Sequence, residues 1–265
     1  MPELGEVEYF KRIWSIAEGQ CVKNVVFSNK RIFRKTDLEA LDSISGSIFI
    51  KSLRRGKQLC FLFSNNKWLG IHLGMTGKLM YEKEKAKYKY SHLELLLYNN
   101  HKLIFQDPRL FGLVLFHQGK NSPAWWSHLK PEIISNQYTF EVMNDFLNRR
   151  KKSFIKSVLL DQKGFPGVGN WMADEILWRA RIKPKVNSVD INTYRRKILF
   201  KVLKEVCFDA LNVIGEGWNK PPNHWLFNHR WKNNGICPNS KCVLLREKIN
   251  GRTACWSPKW QIYPN

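Results

Sequence analysis

The chain has 265 residues, 43% of them hydrophobic, which suits one large or two modest domains and excludes a disordered segment. Lys and Arg number 44 against 22 Asp and Glu. The resulting net charge of +22 is spread along the sequence and points to a polyanionic partner, with nucleic acid ahead of an anionic membrane surface. No apolar run reaches the roughly 18 residues of a membrane span, the acidic, polar start lacks a secretory signal pattern, and the six cysteines are therefore expected to be reduced.

The first residues are Met1-Pro2-Glu3-Leu4-Gly5-Glu6-Val7. Removal of Met1, which a small second residue permits, leaves Pro2 as a secondary amine. An α-amino group titrates near ~8, so a usable fraction is unprotonated at neutral pH. Such an amine can attack an electrophilic carbon and form an imine. Glu3 and Glu6 stand beside it as proton carriers. The ordinary alternative is a frayed, inert terminus. Val7, Phe10, Trp14 and Ala17 then mark one face of a helix ended by Gly19, and that helix can hold the terminus in place.

Short β-like stretches follow at 23–27, 47–53, 58–63, 68–73, 93–98, 102–105 and 113–117, with turn signals at Asn65-Asn66 and Asn99-Asn100. This is the pattern of a β-sandwich or barrel. Three loops interrupt it. Arg54-Arg55-Gly56-Lys57 gathers cations around a glycine, as either a phosphate site or a solvated charge cluster does. His72-Leu73-Gly74-Met75-Thr76-Gly77 places a methionine on a tight loop, although methionine more often fills a core. Asp107-Pro108-Arg109-Leu110-Phe111-Gly112 is a turn carrying an Arg and an aromatic, side chains able to wedge into a base stack.

Beyond Pro123 and Pro131 the period becomes helical. Thr139 is an N-cap ahead of the stripe Val142, Met143, Phe146 and Leu147. A second stripe, Phe154, Ile155, Val158 and Leu159, follows the basic run Arg149-Arg150-Lys151-Lys152. Gly167-Val168-Gly169-Asn170 is a glycine turn opening a third helix at 171–181. It reads either as an anion site at a helix N-terminus or as a packing corner. A long helix is expected at 191–213, then a loop from Gly215 to Pro222. Asn250-Gly251 between apolar runs at 243–249 and 253–256 signals a hairpin with Arg252 at its tip. Cys237, Cys242 and Cys255, with His229, approach a zinc set, but the spacing is irregular and a structural site needs four ligands. No metal is expected.

Together these stretches resemble the formamidopyrimidine-DNA glycosylase/endonuclease VIII family. Four motifs occur in the family's order over nearly the whole chain. Pro2-Glu3-Leu4-Gly5-Glu6-Val7 resembles P-E-L-P-E-V, with Gly5 in place of the second proline. Arg55-Gly56-Lys57 matches the family's hairpin lysine, 160–170 its helix–two-turn–helix, and Gly251-Arg252-Thr253 its finger hairpin. Ser257 and Trp260 fall where the second cysteine pair of the family's zinc finger would stand, so the chain resembles the zincless branch.

The resemblance implies an α+β protein: an N-terminal β-sandwich domain at 1–133, a helix–two-turn–helix domain at 134–228 and a zincless β-hairpin finger at 229–265, with DNA in the cleft between the halves. It implies a base-excision-repair glycosylase with AP-lyase activity by β,δ-elimination, acting on oxidised purines in double-stranded DNA with damaged bases or abasic sites. Pro2 would be the nucleophile, Glu3 the proton donor and acceptor, and Glu6 its assistant, with Lys57 completing the catalytic set. Lys57, Asn170 and Arg252 would hold phosphates, and His92, Arg109 and Lys156 would join them in contacting DNA. Met75, Arg109 and Phe111 would fill the gap left by the flipped nucleotide. No cofactor and no membrane contact are expected. The protein would act as a monomer, in the cytoplasm and nucleoid of a bacterium or the nucleus of a eukaryote. The alternatives are an endonuclease VIII-like enzyme for oxidised pyrimidines, a catalytically silent DNA-binding protein, or an RNA-binding protein using the helical motif alone.

Overall fold

A computed structural model of the chain describes residues 1–28 and 30–264. It forms two compact units, Met1–Leu129 and Lys130–Asn265, against the boundary expected at residue 133. Among the described residues no helix is long and apolar enough to cross a membrane.

The first unit opens with α1 (Leu4–Ser15) and continues through β1 (Val22–Phe27), α2 (Leu38–Asp42), β2 (Phe49–Arg55), β3 (Gln58–Phe63), β4 (Lys67–His72), β5 (Lys78–Lys83), β6 (Ser91–Leu97), β7 (His101–Gln106), β8 (Leu113–Gln118) and α3 (Ala124–Ser127). The strands make two four-stranded antiparallel sheets, ordered β1-β6-β7-β5 and β2-β3-β4-β8. Inward residues at period two, such as Leu59, Phe61 and Phe63 on β3 and Leu93, Leu95 and Leu97 on β6, enter one shared apolar core. That common core makes the unit a sandwich. The apolar stripe of α1 seals it. Trp14 is fully buried, packs on Phe61 with ring centroids 4.6 Å apart, and donates from Nε1 to Met80 O at 3.1 Å.

The second unit carries α4 (Phe140–Asn148), α5 (Ile155–Leu159), α6 (Asn170–Arg179), α7 (Thr193–Ala210) and the hairpin β9 (Leu245–Ile249) and β10 (Arg252–Trp256). The Thr139 hydroxyl accepts from Val142 N at 3.4 Å and caps α4. Arg196 ties α7 to α4, donating to the side-chain oxygens of Asn144 and Asn148 at 2.7 Å each. After α7 the backbone widens into a π-turn at Leu211–Gly215 and stays helical to residue 217. The loop expected to begin at Gly215 therefore begins at Trp218, whose φ of 56° ends the helix. Its N–H reaches Ile214 O, and that of Asn219 reaches Val213 O, which satisfies carbonyls a helix end leaves open.

Candidate active site

Glu3 is the N-cap of α1. It forms a reciprocal capping box with Glu6, whose Oε2 accepts from Glu3 N at 3.1 Å. Glu3 is 4% exposed and Pro2 is half-buried. Gly5, standing where the resembling motif has proline, is accommodated inside the first turn without loss of the box.

An ion cluster around buried Glu8 links α1 to the Lys57 turn. Glu8 accepts from Arg54 Nε at 2.8 Å, Lys11 Nζ at 2.7 Å and Arg12 Nε at 3.1 Å. Burial works to raise the Glu8 carboxyl, but hydrogen bonds from Lys11 and Arg54 outweigh it and hold the group at about 2. Arg54 also donates to Gly56 O at 3.3 Å. Gly56 and Lys57 are the two loop residues of the β2–β3 hairpin, with Arg55 paired to Gln58. Gly56 takes φ 55°, which a glycine adopts without a Cβ penalty, and this sets Lys57 on the turn. The three cations around Gly56 therefore divide. Arg54 is committed to Glu8, and Arg55 lies over Trp126 at 5.2 Å and donates to its carbonyl, so the cluster is not a common phosphate cradle. Half-buried Lys57 is the cation carried by the turn itself.

Two loops carry the proposed wedges, and Asp107 joins them. Buried Asp107 accepts from Thr76 Oγ1 at 2.7 Å, Gly112 N at 2.7 Å and Arg109 N at 3.3 Å. Gly74 has φ 63°, and a Cβ there would lie 2.5 Å from Phe111 C, so the Met75 loop touches the Phe111 loop backbone to backbone. Met75, Arg109 and Phe111 are thus brought together. Arg109 and Phe111 are exposed, with the guanidinium 4.9 Å from the ring centroid. Leu110 between them takes φ 56°, an uncommon conformation for a branched residue, held by the Asp107 bonds on either side.

The sequence reading missed Asp107 and His72. His72 Nδ1 accepts from Gly74 N at 3.1 Å, at the foot of the Met75 loop. Burial and the Lys57 charge both push its pKa below the ordinary 6.5, so the ring is neutral at pH 7. A histidine ending a strand immediately before a glycine loop was the available signal. His92, by contrast, is buried, with Nδ1 at 3.3 Å from Ser28 Oγ and Nε2 at 3.0 Å from Asp107 O. Both ring nitrogens are engaged inside the unit, where His92 supports the Asp107 loop.

In the second unit Asn170 is the first residue of α6, after the turn that Gln162 clasps through Gly167 N at 3.1 Å and Val168 O at 2.8 Å. Asn170 Nδ2 donates to Thr253 O at 3.0 Å, and Asn250 Nδ2 to Ser157 Oγ at 2.9 Å. The hairpin is therefore docked on α5 and α6, and exposed Arg252 lies next to the residue that Asn170 holds. Lys156 is likewise fully buried, donating to Asn170 O and Asp174 Oδ1 at 2.6 Å each beneath the turn. Asp174 Oδ2 also accepts from Arg230 and from Cys255 N at 3.1 Å, so one carboxylate joins α5, α6, the 230 segment and β10.

The finger does not offer a zinc set. Cys237 and Cys242 face the hydroxyls of Ser240 and Ser257, and the Trp260 indole donates to Trp178 O at 3.0 Å under Arg181. Two thiols, two hydroxyls and an indole do not match the four-ligand thiolate and imidazole sets of structural zinc. Among the described residues no group of three or more His, Cys, Asp or Glu could hold a metal.

Comparison with known proteins gives a consistent picture. The formamidopyrimidine-DNA glycosylase N-terminal domain model matches residues 1–114, and the H2TH domain model of the same enzyme matches residues 129–220. A formamidopyrimidine-DNA glycosylase of Syntrophomonas wolfei is 30% identical, covering 98% of this chain and 100% of that protein. One from Rickettsia bellii is 33% identical over 83% of this chain and 84% of its own length. Among solved structures, Lactococcus lactis Fpg (MutM) with DNA containing an oxidised pyrimidine superposes with a TM-score of 0.89 at 25% identity, covering 98% of this chain and 100% of that chain. A MutM complex with DNA containing carbocyclic 8-oxo-G gives a TM-score of 0.88 at 25% identity, with the same coverage.

Proposed function

The chain belongs to the formamidopyrimidine-DNA glycosylase family, and from that premise we propose that it excises oxidised purines from double-stranded DNA and cleaves the resulting abasic strand. The observation that carries this reading is the capping box of Glu3 and Glu6, which fixes two carboxylates at the start of the helix that follows Pro2. Once Met1 is removed, the Pro2 amine attacks C1′ of the damaged nucleotide as the base leaves, giving an iminium. Glu3 moves the protons of ring opening and elimination, with Glu6 holding the turn. β-Elimination expels the 3′ phosphate and δ-elimination the 5′ phosphate.

A stacked duplex denies access to C1′, so the nucleotide is extruded. Met75, Arg109 and Phe111, gathered on the loops braced by Asp107, are suited to fill the space it leaves. Lys57, Asn170 and Arg252 take phosphates, with neutral His72 as a further donor beside Lys57. His92 and Lys156 act through the loops they support. The reaction needs no cofactor, the finger keeps its shape without zinc, and the enzyme works as a monomer wherever the genome is housed.

Leu4 after Glu3 resembles the purine-directed branch, which supports 8-oxoguanine and formamidopyrimidines as substrates. A second reading, oxidised pyrimidines, is favoured by the Lactococcus lactis complex with such DNA. Single-turnover rates on matched duplexes separate them. The purine reading expects 8-oxoguanine opposite cytosine to be excised faster than thymine glycol or dihydrouracil. Tenfold faster release of the pyrimidines would move the assignment to the endonuclease VIII-like branch.

A further inference from the structure

The six cysteines are free, and two of them share one environment that the proposed reaction does not use. Ile236 and Val243 form an antiparallel bridge, and the next residues inward, Cys237 and Cys242, are joined by Cys237 N donating to Cys242 O at 2.8 Å. Directly opposed residues in antiparallel backbone have Cα atoms about 4.5–5.5 Å apart, within the roughly 4.4–6.8 Å that a disulfide spans. Both side chains lean on one residue. Ser240 N donates to Cys237 Sγ at 3.4 Å, and Ser240 Oγ lies 3.1 Å from Cys242 Sγ. Ser257 Oγ lies 3.2 Å from Cys242 Sγ and 2.9 Å from Ser240 Oγ, closing the cluster. Trp178 Nε1 donates to Cys237 Sγ at 3.4 Å from the α6 side.

We propose that Cys237 and Cys242 form a peroxide-reactive thiol pair that closes to a reversible disulfide at the base of the finger.

The two positions divide the work. Cys242 is half-buried and open to a small oxidant, whereas Cys237 is fully buried beside it. Burial works to raise both thiols, but the surrounding N–H and hydroxyl donors outweigh it and hold both below the ordinary cysteine value. The other buried thiols go the opposite way: burial pushes Cys60 up to about 12 and Cys255 up to about 11. In the first step the Cys242 thiolate attacks one oxygen of hydrogen peroxide, the O–O bond breaks, and with one proton a sulfenic acid and water result. In the second step the Cys237 thiolate attacks the Cys242 sulfur, and hydroxide leaves and takes a proton to become water. The two sulfurs lose two electrons in total, which the peroxide oxygens accept. The product bridges the six-residue segment from Cys237 to Cys242, a covalent clasp in the finger.

The test is mapping of the full-length protein after limiting hydrogen peroxide. The expected result is a fall from six free thiols to four, a single Cys237–Cys242 cross-linked peptide, and full reversal by dithiothreitol. Cys242 should react at least about tenfold faster than Cys60 or Cys255. Cys237→Ser should leave Cys242 as a sulfenic acid trapped by dimedone. Phenylarsine oxide, which needs two adjacent thiols, should bind the reduced protein at one equivalent and Cys242→Ser not at all. The wild-type map decides the matter even if a variant folds poorly. Over-oxidation of Cys242 with Cys237 still free, a disulfide between any other pair, or first reaction at Cys21 would overturn the proposal.

Discussion

Glu8 is where the account can be tested by charge alone. Its carboxylate pairs with Arg54, whose side chain is 5% exposed and also holds the Gly56 carbonyl of the Lys57 turn. The folded carboxyl titrates at about 2 against an ordinary 4.5. At about 1.4 kcal/mol per pKa unit, that gap of about 2.5 units corresponds to about 3.5 kcal/mol, which solvent screening at the more exposed Lys11 and Arg12 partners reduces to about 3 kcal/mol. The sign follows from proton binding. Between pH 4.5 and 2 the unfolded chain binds a proton at this residue that the folded chain does not, so the contribution is complete above pH 4.5 and is lost as pH falls toward 2. Glu8→Gln removes the charge and strands buried Arg54, a change of the kind that costs about 3–5 kcal/mol. Urea unfolding of wild type and Glu8→Gln, followed by circular dichroism, should show a gap of about 3 kcal/mol at pH 7 that narrows through the acid window. Base release should fall as well, because the turn carrying Lys57 loses its brace. A gap below about 0.5 kcal/mol, the range of an uninvolved surface change, or a gap independent of pH, would refute this reasoning.

Gly74→Ala places a Cβ 2.5 Å from Phe111 C at φ 63°, so the two wedge loops must part. Base release from a lesion duplex should fall at least tenfold, while the unfolding free energy drops by roughly 1–2 kcal/mol for the backbone conformation alone. Asp174→Asn leaves buried Lys156 and Arg230 without their common partner and should cost about 3–5 kcal/mol in thermal unfolding. Arg252→Ala, at an exposed position on the docked hairpin, should change stability by less than about 0.5 kcal/mol yet weaken lesion-DNA binding in a titration at fixed salt.

Where the sequence carried period and punctuation, it was legible. β3 was read to the residue because a continuous apolar run is bounded by Gly56 and by Asn65-Asn66. Thr139 and Asn250-Gly251 declared a helix start and a hairpin by side-chain chemistry alone. β5 was not seen, since Lys78-Leu-Met-Tyr-Glu-Lys83 is flanked by charge and is a strand through its pairing with β7. The five-residue α2, capped by Asp37, and the one-turn α3 are too short to show a period. The helical continuation through Gly215 to residue 217 runs against glycine's usual role as a stop.

For the candidate site, the wedge residues were legible as loop residues, but their meeting depends on Asp107 and Gly74, contacts made between Thr76 and Asp107, 31 residues apart, and between Gly74 and Phe111, further apart still. Lys156 and His92 could be identified as special by their place in the motifs. Their burial and their bonds to Asp174 and to the Asp107 carbonyl depend on residues 15–18 positions away and could not be read from the motifs.

The measurement that bears most directly on the proposed chemistry is borohydride trapping on a duplex containing 8-oxoguanine. Protein with Met1 removed should give a covalent protein–DNA adduct that mass mapping places on Pro2, and Pro2→Gly or an N-terminal extension should abolish or sharply reduce it. An adduct mapped to a lysine, with a yield unchanged by either alteration of the terminus, would contradict the assignment of Pro2 as the nucleophile.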